Sequence, residues 1–238
     1  MGGGRVKVVC FAHAGAGVSA FHRWPELVGP GVDVVPWLLP GRDRRRREPR
    51  VVGRDGLLRE LRGVADVVRD EPYALYGHSL GGLVAFTLAR AAAEVGLTPP
   101  LLLGVGALPP PDGVAALVGG AGLDDAALVG LLARFGAVPE GVRAGDVWHR
   151  SVLPVLRDDL RLAAALRGAA AGPVGVPLLA VAGREDPLGR PEAVAGWGRW
   201  TSDRFVRRTV PGGHFFVRDA ALPRMVGRAV RVVARCAR

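Results

Sequence analysis

Short apolar runs of strand length alternate along the chain with longer segments whose apolar positions recur every three or four residues. Arg5–Phe11, Val32–Leu38, a run starting at Ala74, Leu101–Leu108, Val176–Ala182 and Phe205–Val210 read as strands. Between them, a short helix is marked by Phe21, Trp24 and Leu27. A longer one, Val51–Arg69, carries its helical period on Leu57, Leu58, Leu61, Val64, Val67 and Val68. Helical period follows again from Leu83 to about Val95, then over Leu123–Phe135 and Trp148–Arg167, over Pro191–Trp200 with proline in its first turn, and over Leu222–Cys236. Strands alternating with helices predict an α/β fold with a mostly parallel sheet covered by helices on both faces.

The alternation breaks once. Between Pro109-Pro110-Pro111 and Pro173 there are two helical segments and no strand. An insertion at that point falls over the carboxyl ends of the strands, where open α/β sheets bind ligands. Residues 109–172 are therefore expected to form a helical lid within one domain spanning 1–238. An ordinary crossover with an extra helix packed on the scaffold is the alternative.

The chemistry enters at Gly77-His78-Ser79-Leu80-Gly81, which follows an apolar run and opens a helical one. A strand, a sharp turn and a helix around Gly-x-Ser-x-Gly make a nucleophile elbow, with the serine at the tip of a strained turn and glycines where side chains would crowd the neighbouring backbone. Serine is a poor nucleophile without a base. Of the five histidines, His214 lies in a glycine-containing loop after the last strand, whereas His78 is in the turn itself and His22 and His149 fall in helical segments. Asp186, just beyond the strand Val176–Ala182, is the expected third member; Asp112 and Glu185 are the competing acids. The order Ser79, Asp186, His214 is that of α/β hydrolases. The small-residue loop after the first strand, Ala12 to Gly17, suits an oxyanion hole, with backbone N–H groups from Ala14 and Leu80. His13 in that loop reads as a shaping residue, or less simply as a direct catalytic group.

Composition narrows the setting. The chain has 238 residues, 49% hydrophobic and 23% charged, enough for a substantial core. Its start has too short an apolar run for a signal peptide, and no stretch is long enough to span a membrane, so a cytoplasmic enzyme is expected. Cys10 and Cys236 make neither a disulfide framework nor a metal cluster. The net charge of +10 favours acidic partners. Its arginines are scattered except for Arg42 to Arg47, and no nucleic-acid-binding module accompanies them.

Taken together, these segments resemble the type II thioesterases, the discrete editing hydrolases of polyketide and nonribosomal peptide synthases, which have the α/β-hydrolase fold. The resemblance is carried by Phe11-Ala12-His13-Ala14-Gly15-Ala16-Gly17, by Leu39-Pro40-Gly41-Arg42, by the elbow, by Leu153-Pro154-Val155-Leu156-Arg157-Asp158-Asp159, by Gly183 with Asp186-Pro187, and by Pro211-Gly212-Gly213-His214-Phe215-Phe216. Ala12 and Ala16 depart from the family's usual proline and glycine. The resemblance implies hydrolysis of acyl groups from the phosphopantetheine thiol of an acyl or peptidyl carrier protein, met transiently by a monomeric enzyme with no cofactor, no metal, no nucleic acid and no membrane.

Overall fold

The computed structural model describes residues 5–69, 71–113, 118–139, 141–143 and 145–237. Six strands form one sheet: β1 (Val6–Phe11), β2 (Val32–Trp37), β3 (Tyr73–His78), β4 (Leu103–Gly106), β5 (Leu178–Gly183) and β6 (Phe205–Val210). Their order is β2-β1-β3-β4-β5-β6, and every neighbouring pair is parallel. Among the described residues, eight α-helices accompany them: α1 (Trp24–Leu27), α2 (Arg54–Val68), α3 (Leu80–Glu94), α4 (Asp125–Ala133), α5 (Val147–Ser151), α6 (Leu153–Gly168), α7 (Pro191–Val194) and α8 (Ala221–Cys236). This is the α/β-hydrolase architecture. The chain leaves β1 toward β2 on one side and returns to β3 on the other. Their carboxyl ends thus diverge at a switch point, where ligands of open sheets bind.

The two faces follow from the alternation of each strand. Val9 and Phe11 of β1, Leu75 of β3 and Ala180 of β5 join a core with α2 and α3; Val8, Cys10, Ala74, Tyr76 and Val181 join the opposite core with α1 and α8. Helix α3 is apolar nearly all round and buried along almost its whole length, as suits the central helix of the fold.

Two elements depart from the sequence pattern. The apolar run Leu101–Leu108 yields a strand of only Leu103–Gly106, because Ala107 already takes φ 57° and turns the chain out of the sheet. The segment Trp148–Arg167 is two helices that meet at Val152, where Pro154 has no N–H to continue the hydrogen-bond ladder.

Of the expected lid, residues 114–117, 140 and 144 lie outside the described residues. In the remainder, α4 and the first half of α6 pack together through Leu128, Leu132, Leu153, Leu156 and Leu160 against Ala14. The second half of α6, with Leu162 and Leu166, belongs to the scaffold core beside α3. One helix therefore packs on α4 with its first half and on the core beside α3 with its second. Arg167 near its end donates to the carbonyls of Pro109, Pro110, Pro111 and Gly113, holding the triple-proline segment against the scaffold.

The elbow depends on the absence of side chains at two positions. A Cβ built on Gly77 would overlap the carbonyl of Gly81, and one on Gly81 would overlap the carbonyl of Phe11 at the end of β1. Neither obstacle is a flexible side chain, so neither can swing aside. Gly77→Ala is expected to destabilise the protein by about 3 kcal/mol or more. Gly130→Ala, in the open interior of α4, should instead be neutral or stabilise by up to about 1 kcal/mol. Chemical denaturation midpoints of the two variants check the contrast.

Candidate active site

Ser79 joins β3 to α3 with φ 55° and ψ −121°. That backbone conformation costs an ordinary residue about 1–3 kcal/mol and persists only where its surroundings impose it. Here the Ser79 N–H donates to Gly106 O at 2.7 Å and the Gly82 N–H donates to Ser79 O at 2.8 Å. The turn leaves the serine half-buried while His78 and Leu80 on either side are buried.

Two loops from distant parts of the chain meet the serine. His214, after β6, brings Nε2 to 3.0 Å from Ser79 Oγ, and its Nδ1 lies 3.0 Å from both carboxylate oxygens of Asp186, after β5. A carboxylate can only accept, so Nδ1 carries the proton and Nε2 is left as the acceptor for the serine hydroxyl. Asp186 is 2% exposed and its Oδ1 also accepts from the Leu188 N–H at 2.8 Å, which fixes the carboxylate in its turn. The competing acids are elsewhere. Asp112 is exposed and bound to Arg199 and to Trp200 Nε1, while Glu185 accepts from the Gly212 N–H and so shapes the turn that precedes His214.

Leu80 is the first residue of α3, a helix of 15 residues whose amino end points at the serine. Among the described residues, neither the Leu80 N–H nor the Ala14 N–H has an acceptor within the chain. Both donors are therefore free, and the helix adds a field that favours negative charge.

The two other histidines near the site are buried and structural. His78 Nε2 donates to the backbone carbonyl of His214 at 2.7 Å, and its Nδ1, 3.1 Å from Tyr76 Oη, accepts from that hydroxyl. Tyr76 and His78 thus anchor the His214 loop from beneath. Burial holds the His78 pKa well below the usual imidazole value, and the nearby His214 and His13 push the same way. His13 packs edge-on against the rings of Phe215 and His78, with centroids 5.1 and 6.0 Å away. Burial lowers its pKa to about 3, aided by His214 and Arg218. Its ring is thus packed between Phe215 and His78 in the loop that follows β1.

The sequence pattern did not reveal what holds the loop that carries Ala14. Arg42, from the Pro40-Gly41-Arg42 turn, makes a bidentate pair with Asp159 of α6, at 2.9 and 2.7 Å, and donates to Ala16 O at 3.1 Å. Asp159 Oδ2 also accepts from the Gly15 N–H at 2.7 Å. The pair is almost fully buried, with side chains 8% and 1% exposed. Both residues lie in motif segments, but their separation of 117 positions gives no local sign of pairing.

Comparison with known proteins is decisive at this point, because a thioesterase-domain family model matches residues 6–230 of the chain. The chain belongs to the thioesterase family. Among curated relatives, thioesterase PikA5 of Streptomyces venezuelae is 34% identical over 221 residues, covering 90% of this chain and 76% of that protein. Among solved structures, the RedJ thioesterase of the prodiginine pathway of Streptomyces coelicolor superposes with a TM-score of 0.86 at 31% identity, covering 94% of this chain and 90% of that one. The type II thioesterase BorB of the borrelidin cluster gives a TM-score of 0.80 at 30% identity, covering 95% of this chain and 93% of that one. The family likeness spans the thioesterase's elbow, its acid and histidine loops, and the segment that carries Asp159.

Two outcomes are expected from these environments. Removing Asp159 as Asp159→Ala strands the buried Arg42 guanidinium and should cost about 3–5 kcal/mol of stability, read from the denaturant midpoint. His13 has a folded pKa of about 3 against 6.5 when unfolded, so the unfolded chain binds the extra proton as pH falls below about 6.5. Its contribution is complete above that pH and declines by about 1.4 kcal/mol per unit below it, until the folded pKa is reached. In His13→Asn, the loss of stability between neutral pH and pH 5 should shrink by about 2 kcal/mol, measured by denaturation at both pH values.

Proposed function

We propose that this chain hydrolyses acyl or peptidyl thioesters held on the phosphopantetheine thiol of a carrier protein, with Ser79, His214 and Asp186 as a catalytic triad. The observation that carries the reading is the hydrogen-bond chain from Asp186 through His214 to Ser79, with two free N–H donors beside it, in a member of the thioesterase family. The relatives supply the setting. BorB is described as a type II thioesterase of a biosynthetic cluster, and RedJ as a thioesterase of a biosynthetic pathway.

The chemistry follows from the geometry. His214 Nε2 takes the Ser79 proton as Oγ attacks the thioester carbonyl carbon, and the carbonyl oxygen becomes an oxyanion received by the N–H groups of Ala14 and Leu80. Asp186 holds the His214 tautomer and stabilises the imidazolium. Collapse breaks the carbon–sulfur bond, and the sulfur leaves with the proton from His214 as a free thiol. Water then gives a proton to His214 and attacks the acyl-serine; the second collapse releases the acid and restores the serine hydroxyl. The residues 109–172 act as a lid over this site, and the enzyme works as a cytoplasmic monomer that meets its carrier transiently.

Ser79→Ala should lower turnover by at least about a thousandfold, and Asp186→Asn by about a hundredfold to ten-thousandfold, with the fold intact. Mass measurement of acyl release from loaded carrier proteins, beside CoA thioesters and simple esters, provides the test. Unchanged thioester hydrolysis in Ser79→Ala removes the triad assignment, and a decisive preference for simple esters removes the carrier reading.

A further inference from the structure

Resting on that functional reading, we propose that Arg44, Arg46 and Arg47 form the surface on which the acidic face of the carrier protein docks. The run Arg42 to Arg50 is strongly basic, but its arginines do different things. Arg42 is spent on Asp159, Arg45 on Glu48 and Glu60, and Arg50 on Asp158. Arg44, Arg46 and Arg47 are exposed and make neither an ion pair nor a side-chain hydrogen bond among the described residues. Of the two acids in the loop, Glu48 is engaged by Arg45 and Asp43 turns its carboxylate against Gly17. Among the described residues no carboxylate pairs with the three free cations, which outnumber the loop's one unpaired acid, Asp43.

Their place beside the site is fixed at both ends. Arg42 and Arg50 clip the loop to consecutive acids of α6, Asp159 and Asp158, at 2.7 and 3.0 Å. Arg42 is also bonded to Ala16 of the oxyanion loop. The free arginines thus arch outward from a rigid base that touches the catalytic end of the sheet. A partner seated on them is held beside the turn whose Arg42 bonds Ala16, two residues from Ala14, so its thiol-bearing arm would enter from the side of that loop.

A second basic surface lies at the opposite end of the sheet. Arg204, Arg208, Arg224 and Arg228 border a groove between β6 and α8 whose floor includes Leu102, Pro177 and Leu178, at the amino-terminal ends of the strands. Ser79 follows the carboxyl end of β3. Exposed charges of this kind act mainly on the encounter rate and lose their effect as salt rises, which gives the docking surface a signature distinct from catalysis.

The test compares R44E/R46E/R47E with R208E/R224E/R228E, two reversals that change net charge equally. Each is assayed on an acetyl-loaded acidic carrier protein and on the acetyl thioester of N-acetylcysteamine, which has no protein to dock. The proposal expects the first variant to lose at least tenfold in kcat/KM on the carrier thioester, to lose the wild-type salt dependence, and to stay within twofold of wild type on the small thioester. The second variant should stay within about threefold on both. Equal losses in the two variants, a loss confined to the second, or no loss in the first would overturn the docking assignment. A wild-type enzyme that cleaves neither thioester would instead overturn the functional reading on which it rests.

Discussion

Everything at this site hangs on one steric contact, the approach of the start of α3 to the ends of β3 and β1. Gly77 and Gly81 face each other with no room for a Cβ, and Gly81 sits against the carbonyl of Phe11. Three chain segments are thereby locked together: the strand that delivers Ser79, the helix that delivers the Leu80 N–H, and the strand that releases the oxyanion loop. The strained Ser79 backbone is held by this packing and by the bond from its N–H to Gly106. Strain of a few kcal/mol is tolerable only because the surrounding core is large and the central helix is almost wholly buried.

A second layer fixes the groups that this contact leaves free. The hydrogen bonds from Tyr76 to His78 and from His78 to the His214 carbonyl run from within β3, so Ser79 and His214 are referenced to the same strand. On the other side, Asp159 holds Arg42 and the Gly15 N–H together. A buried ion pair of this kind is a poor source of net stability, since desolvation offsets most of the Coulombic gain. Its value lies in geometry: one carboxylate in α6 decides where both the oxyanion loop and the arginine loop can sit.

Three imidazoles lie close together, the His78 ring centroid being 6.0 Å from that of His13 and 5.8 Å from that of His214, but their surroundings differ. His13 and His78 are buried and held neutral, and neither has a carboxylate beside it. Of the three, only His214 has a carboxylate, that of Asp186, against its Nδ1 among the described residues. Burial without an anion disfavours the charged imidazole, whereas an adjacent carboxylate favours it.

The sequence by itself determined the strand and helix alternation, the elbow, the chain order of serine, acid and histidine, and the preference for Asp186 over Asp112. Those features are legible because they are local. Apolar period specifies an element, and a turn that admits no side chain demands glycine at fixed spacing. Tertiary structure alone decided which half of α6 is insertion and which is scaffold, where β4 ends, and which arginines of a basic run are spent internally. It also decided that His78 serves the His214 loop. Each of these depends on a partner far along the chain. Arg42 and Asp159 are 117 positions apart, and no local pattern tells a buried, paired arginine from a solvated neighbour two residues away.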